Sequence, residues 1–344
     1  MNYAHTLLIL LAGLLLAACG GQPTADDPYA PRSEGAATDV AQLVTVGLDW
    51  TPNTNHTGLY VAQDQGYFAA NGLDVEIVQA YESGSVEQLV AAGQLDFGIS
   101  YQEGVTQARA EGLPIVSVAA IIQHNTSGFA SRAEERISTP ADFAGKVYGG
   151  FGSPTEEAIL RGLMECVGAD FSAVEIVDIG TSDFFVATER GDIDFAWVFQ
   201  GWTGIEAEVR EVPLNIVMVN DIKNCVPDYY TPVLITSEST IAERPDIVRR
   251  FVAAVSAGYT FAIASPDEAA TMLLAAVPEL DADLVRQSQQ YLAAQYQADA
   301  PRWGEQTQER WQTYAEWMAE RNLIPEMIEA EAAFTNEFLP PAEE

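Results

Sequence analysis

"LVTVGLDWTPNTNHTGLYVAQDQGYF" (residues 43–68) passes from a short apolar, β-rich run through a cluster of small polar residues into a helical pattern. The apolar run reads as a strand, and the segment from about Thr57 to Gln65 reads as a helix. A strand whose end opens through a polar loop into a helix is the first half of a β-α-β unit. The same unit recurs downstream. "LDVEIVQAY" is followed by a helix opened by Ser85, with Gln88 three residues on in capping-box spacing, and then come "LDFGISY", "GVTQARAEG" and "PIVSVAAIIQ". After Arg132 a second series begins: "KVYGGF", a helix from about Pro154 to Val167, "VEIVDIG", a helix opened by Ser182, "IDFAWVFQ", a helix around Gly204 to Arg210, and "NIVMVND". From Ser239 onward the pattern is helical. Alternation of this kind predicts an α/β fold of two lobes, each a parallel sheet with helices on both faces.

Composition narrows the function. The chain of 344 residues carries a formal net charge of −34, and such a surface repels phosphate backbones and anionic headgroups, so nucleic acid is excluded as a partner. Hydrophobic residues make up 48%, enough for a large core. The apolar run Leu7–Ala18 is too short to span a bilayer of roughly 30 Å and reads as the core of a signal peptide over residues 1–18, although only His5 precedes it as a basic group. Leu16, Ala17, Ala18 and Cys19 resemble a bacterial lipobox, which predicts lipidation at Cys19 and a location at the cell membrane, on its extracytoplasmic face. Residues 19–42, rich in Gly, Pro, Ala and Asp, read as a flexible tether. The membrane contact expected is the lipid anchor alone.

Open α/β sheets bind ligands beyond the carboxyl ends of their strands. Asp49, Trp50, Asn53 and His56 stand at such an end, with Tyr81 and Tyr101 at neighbouring ones. The polar groups are expected to meet the edge of a planar, neutral, hydrogen-bonding molecule, and Trp50 to meet its face. For Asn53 helix capping, and for His56 a satisfied core imidazole, are equally ready explanations. In the second series "GGFGSPTEEA" lets backbone approach a ligand, so Phe151 and Ser153 are candidates for a face and a donor. As a phosphate cradle it is poor: the P-loop Lys is missing, and Glu156 and Glu157 would repel the anion. Trp197 and Phe199 share a strand face, Phe199 as packing, and Trp202 just past the strand end is the better stacking platform.

Several of these segments, "LDWTPNTNHTGLYVAQDQGYFAANGLDVEIV", "GQLDFGISYQEGV", "GDIDFAWVFQGWTGIEAEVR" and "AFTNEFLP", resemble the substrate-binding lipoproteins of ABC importers related to ThiY, from about Val44 to Pro340. The resemblance implies a type II periplasmic-binding-protein fold with two lobes on a two-strand hinge. It implies a discontinuous first lobe, residues 43–126 plus 232–340, and a second lobe, residues 127–231, with crossings near Gln123 to Ser127 and Tyr230 to Leu234. It further implies a monomer that takes up a small vitamin and passes it to an ABC permease with its ATPase, without a cofactor. The family's ligands include a thiamine pyrimidine precursor and, in the RibY branch, riboflavin. The aromatics at candidate strand ends (Trp50, Tyr81, Tyr101, Phe151, Phe184, Trp197 and Trp202) favour the three-ring flavin.

Catalytic readings find little support. No Cys or His spacing suits zinc, no GxSxG elbow occurs, and the only His residues past the leader are His56 and His124. A pyrimidine synthase on the same fold is the alternative from another class. It is thought to use pyridoxal phosphate, and its chemistry wants a cleft Lys, but the chain has only Lys146 and Lys223, both assigned to the second lobe away from the cleft. Cys166 and Cys225 fall in that lobe, where an oxidising compartment permits a disulfide and two unpaired buried thiols are the alternative.

Overall fold

The computed structural model describes residues 41–79, 85–180, 182–222 and 225–342. The expected signal peptide, most of the tether, Cys19, Tyr81 and Lys223 lie outside the described residues.

The first series comprises β1 (Gln42–Gly47), α1 (Thr57–Asp64), α2 (Tyr67–Ala70), β2 (Leu73–Val78), α3 (Val86–Ala91), β3 (Phe97–Ser100), α4 (Gln102–Ala110) and β4 (Ile115–Ala120). The second comprises β5 (Ser127–Arg132), β6 (Val147–Gly150), α5 (Pro154–Cys166), β7 (Glu175–Asp178), α6 (Phe184–Arg190), β8 (Phe195–Phe199), α7 (Ile205–Val209) and β9 (Leu214–Met218). After β10 (Val233–Ser237) the chain is helical: α8 (Glu238–Glu243), α9 (Pro245–Ala264), α10 (Pro266–Ala276), α11 (Ala282–Ala293), α12 (Gln308–Glu320) and α13 (Ala330–Ala333).

Two five-stranded sheets result, with orders β2-β1-β3-β10-β4 and β7-β6-β8-β5-β9. Each departs from the all-parallel expectation at one inserted strand: β10 runs antiparallel to β3 and β4, and β5 antiparallel to β8 and β9. The reason is connectivity. The chain leaves the first sheet after β4, enters the second as β5, and returns as β10, so each inserted strand arrives from the other sheet. The sequence of β5, "SGFASR", is small and polar and gives little strand signal. Two local starts also shift. α6 is opened by Asp183, whose carboxylate accepts the Val186 N–H at 2.9 Å, one residue later than Ser182. The helix expected from Gly204 begins as a π turn, Gln200–Gly204.

Packing explains the long helix. α9 has the length and hydropathy of a membrane span, yet Val248, Phe251, Val252, Val255 and Tyr259 are fully buried in the core of the first sheet. It crosses α1 closely, because a Cβ on Gly258 would lie 2.0 Å from the Gly58 carbonyl oxygen. Only a glycine permits that approach. On the other side α12 sends Trp317 against Cys225, its indole N–H donating to the Cys225 carbonyl at 3.2 Å. Cys225 is joined to Cys166 in a disulfide, with Cα atoms 5.5 Å apart.

Candidate functional site

The short turn Thr54–His56 folds the polar loop back onto the end of β1. His56 is fully buried, and its Nε2 lies 2.7 Å from Asp49 Oδ1. The Asn53 N–H donates to His56 Nδ1 at 3.2 Å, so the ring proton sits on Nε2 and is donated to the carboxylate. Tyr101, from the start of α4, donates its hydroxyl to Asp49 Oδ2. Asn53 accepts from the Asn55 N–H at 2.8 Å and donates to the Thr51 carbonyl at 2.9 Å. Burial alone would raise the Asp49 carboxyl, but the hydrogen bonds from His56 and then Tyr101 outweigh it and hold the group below the usual carboxylate value.

Asp49, Asn53, His56 and Tyr101 are thus brought together, but their hydrogen bonds go to one another and to the backbone of the same loop. They form a frame for the strand end. The edge groups expected to face a ligand from these four residues are already matched, while Trp50 beside them keeps 44% of its surface exposed.

The glycine loop of the second sheet tells a similar story. The Phe151, Gly152 and Ser153 amides converge on Glu156 Oε1 at 2.9, 2.9 and 3.1 Å, and the Tyr148 hydroxyl donates to Oε2 at 2.9 Å. The nest that an anion would need is filled by the chain's own carboxylate. Burial outweighs these bonds and raises the Glu156 carboxyl. Phe151 remains 57% exposed, its ring 6.3 Å from that of Trp197. Trp197 in turn packs 5.8 Å from Phe129, and its indole N–H is buried without a hydrogen-bond partner.

Trp202, expected as a stacking platform, is half-buried. The π turn seats it against the cluster of Tyr60, Leu273, Val277 and Val285. Ser288 of α11 donates to the Gly201 carbonyl, and a Cβ on Gly201 would meet Leu292 at 2.8 Å. The turn after β8 is therefore docked on α11. Phe184, counted among the strand-end aromatics, is buried in the core of the second sheet.

Between the sheets the two crossing segments are cross-linked by side chains that no sequence motif marks. His124 Nδ1 lies 2.6 Å from Asp228 Oδ2, and the Asn125 N–H donates to Asp228 Oδ1 at 3.0 Å. Asn220 donates to Asp228 Oδ1 at 2.8 Å, while Arg310 pairs with Asp228 at 3.3 Å and covers the Tyr230 ring at 4.5 Å. The hydrogen bond to Asp228 raises the His124 imidazole above its usual value. A depression of about 520 Å³ between α7 and β9, lined by Gln200, Ala207, Glu208, Leu214 and Ile216 among others, includes none of the expected site residues. Among the described residues no group of three or more His, Cys, Asp or Glu is placed to hold a metal ion.

Residues 53–269 match the model of the family described as NMT1/THI5 like. The chain belongs to the NMT1/THI5-like family. Within it, a formylaminopyrimidine-binding protein of Halalkalibacterium halodurans is 30% identical over 98% of this chain and 99% of its own length. The riboflavin-binding protein RibY of Chloroflexus aurantiacus is 27% identical over 97% of each. A Legionella pneumophila relative named 4-amino-5-hydroxymethyl-2-methylpyrimidine phosphate synthase is 24% identical over 89% of this chain and 95% of its own. Among solved structures, the periplasmic aliphatic sulphonate binding protein SsuA of Escherichia coli superimposes with a TM-score of 0.64 at 13% identity, covering 88% of this chain and 95% of SsuA. This NMT1/THI5-like chain therefore has the periplasmic-binding-protein fold.

Proposed function

We propose that this protein captures a planar nitrogen heterocycle outside the cytoplasm and delivers it to the permease and ATPase of an ABC importer, with a 4-aminopyrimidine of the thiamine type as the preferred ligand. The observation that carries the reading is the end-to-end similarity to a formylaminopyrimidine-binding protein, 98% of one chain against 99% of the other. Riboflavin is the second reading, supported by the RibY relative and by the exposed rings of Trp50 and Phe151. Phe184 and Trp202, which would add stacking area for a flavin, pack against apolar clusters. The enzyme reading rests on the synthase relative. Against it, Lys146 is held by Glu135 at 2.6 Å on the second lobe.

In this reading the protein is a lipid-anchored monomer with lobes at residues 43–126 plus 232–340 and 127–231, closing on ligand about the two crossings. The test is calorimetric titration with a formylated 4-aminopyrimidine and with riboflavin, followed by mass spectrometry of the recovered ligand. Unchanged pyrimidine bound at micromolar or tighter Kd supports the proposal; a converted product supports the synthase, and binding of riboflavin alone supports the second reading. Small-angle scattering should show a smaller particle with saturating ligand, and palmitate labelling should vanish in Cys19→Ala.

A further inference from the structure

The two sheets are joined by a contact that lies beyond the crossing segments. The π turn Gln200–Gly204 leaves β8 of the second sheet beside the first crossing, where the Gln200 N–H donates to the Thr126 carbonyl at 3.0 Å. It then runs onto helices that pack on the first sheet, since Ala269 of α10 and Leu292 of α11 belong to that sheet's core. Trp202 sits against the cluster that includes Tyr60 of α1, Leu273 of α10 and Val285 of α11. A Cβ on Gly201 would lie 2.8 Å from Leu292, so the turn reaches α11 this closely only with a glycine there.

Ser288 of α11 connects this contact to the polar loop after β1. Its side chain is fully buried, and its single hydroxyl proton goes to the Gly201 carbonyl. Thr54 Oγ1 lies 2.5 Å from Ser288 Oγ, so at that bond Thr54 is the donor. Thr54 opens the turn that carries the Asp49 frame, and the turn is fixed from behind: the Tyr296 hydroxyl donates to the Thr54 carbonyl and the Tyr259 hydroxyl to the Asn55 carbonyl, each at 2.6 Å. Two hydroxyls in series therefore link the carboxyl end of β1 to the carboxyl end of β8, the strand ends beyond which α/β sheets hold ligands.

We infer that Ser288 and Trp202 are positioning residues for ligand capture, which lock the end of β8 onto the end of β1 and set the angle between the sheets at which the cleft holds its ligand. The inference rests on the binding-protein reading and adds to it the residues that fix the holding geometry. Two crossing strands alone leave two sheets free to rotate about them as a hinge. An apolar ring seated among three helices, with a hydrogen bond beside it, removes that freedom at a third point. Losing the lock lowers the fraction of molecules in the holding geometry, and affinity falls by the same factor.

The experiment compares wild type, Ser288→Ala, Trp202→Phe and Trp202→Ala by small-angle scattering without ligand, well below each variant's unfolding midpoint. For a formylated 4-aminopyrimidine and for riboflavin it measures Kd by calorimetry and dissociation by surface plasmon resonance. For whichever compound binds, Ser288→Ala and Trp202→Ala should weaken affinity about tenfold, mostly through faster dissociation. Both should also give a larger ligand-free particle than wild type, a readout that lost stability alone does not move. Trp202→Phe keeps an apolar ring and should stay within about threefold. In wild type, saturating ligand should slow hydrogen exchange at residues 54–56 and 200–205 together, a result that needs no variant to fold. Variants with wild-type affinity and ligand-free size overturn this inference alone. Weaker binding by Trp202→Ala with an unchanged ligand-free particle also overturns it, because the ring then acts as a stacking surface. Wild type that binds neither compound overturns the binding-protein reading together with it.

Discussion

Asp49 and Glu103 are two buried carboxyls on either side of Tyr101, and their surroundings send them in opposite directions. Asp49 receives a hydrogen bond on each oxygen, from His56 and Tyr101, and is held below the usual carboxylate value. Glu103 has a buried oxygen with no donor and a second carboxylate, Glu87, as neighbour, and is pushed up to about 8. Glu156 lies between the two cases: three backbone amides and Tyr148 serve it, yet burial still raises it. Burial by itself always favours the neutral acid; the donors within reach decide how far that tendency is reversed. A carboxyl matched by donors keeps its charge in the fold, and an unmatched one gives it up.

The largest effect expected is on the matched site. Asp49→Ala strands a buried imidazole N–H and a buried phenol and should cost about 3 kcal/mol of unfolding free energy in urea titration. A loss below about 1 kcal/mol would break the contrast, since it would mean the Asp49 frame holds nothing in place.

Glu156→Ala should come next. It opens three amides at the head of α5 and should cost about 2 kcal/mol, with denaturant midpoint as the measure. Tyr148→Phe removes one donor to the same carboxylate and should cost about 1 kcal/mol.

Glu103→Gln is expected to change stability least at low pH and to raise it as pH increases. A folded value near 8 against 4.5 for the free acid means that Glu103 supports the fold fully below pH 4.5, and that this support is lost as pH climbs towards 8. The wild type should therefore lose stability between pH 5 and pH 8, and Glu103→Gln should lose less. His124 bends the curve the same way. Its value is raised above 6.5, chiefly by Asp228, so its stabilising charge is present below 6.5 and lost as pH rises through the shifted value. His124→Gln should remove only the upper part of the slope, and urea midpoints at pH 5, 6.5 and 8 separate the two groups. An identical slope in all three proteins would place the titration elsewhere.

Much of the fold could be read from the chain directly. The β-rich runs and helix starts at Thr57, Pro154 and Ser85 stand where the spacing puts them, because burial of an apolar face and capping are local consequences of residue order. The strands that a reader misses or misplaces are β5 and β10, the two that run antiparallel, whose partners lie on strands brought close only by the chain crossing between sheets.

The residues at the strand ends could also be named in advance, but not their use. Residue type and position alone pick out Asp49, Asn53, His56 and Tyr101 as polar groups at one sheet edge, and order of the chain fixes the α/β class, the family's segments and the strong acidity. Whether a polar group faces a ligand or a neighbour depends on which donors fold back within 3 Å of it, and that is settled by contacts such as Tyr101 with Asp49, 52 residues apart. Tertiary structure alone closed the Asp49 frame, filled the Gly152 loop with Glu156, seated Trp202 on α11 and left Glu103 unmatched beside Tyr229 and Tyr314, because hydrogen-bond satisfaction is a property of three-dimensional neighbourhoods and leaves no mark in residue order.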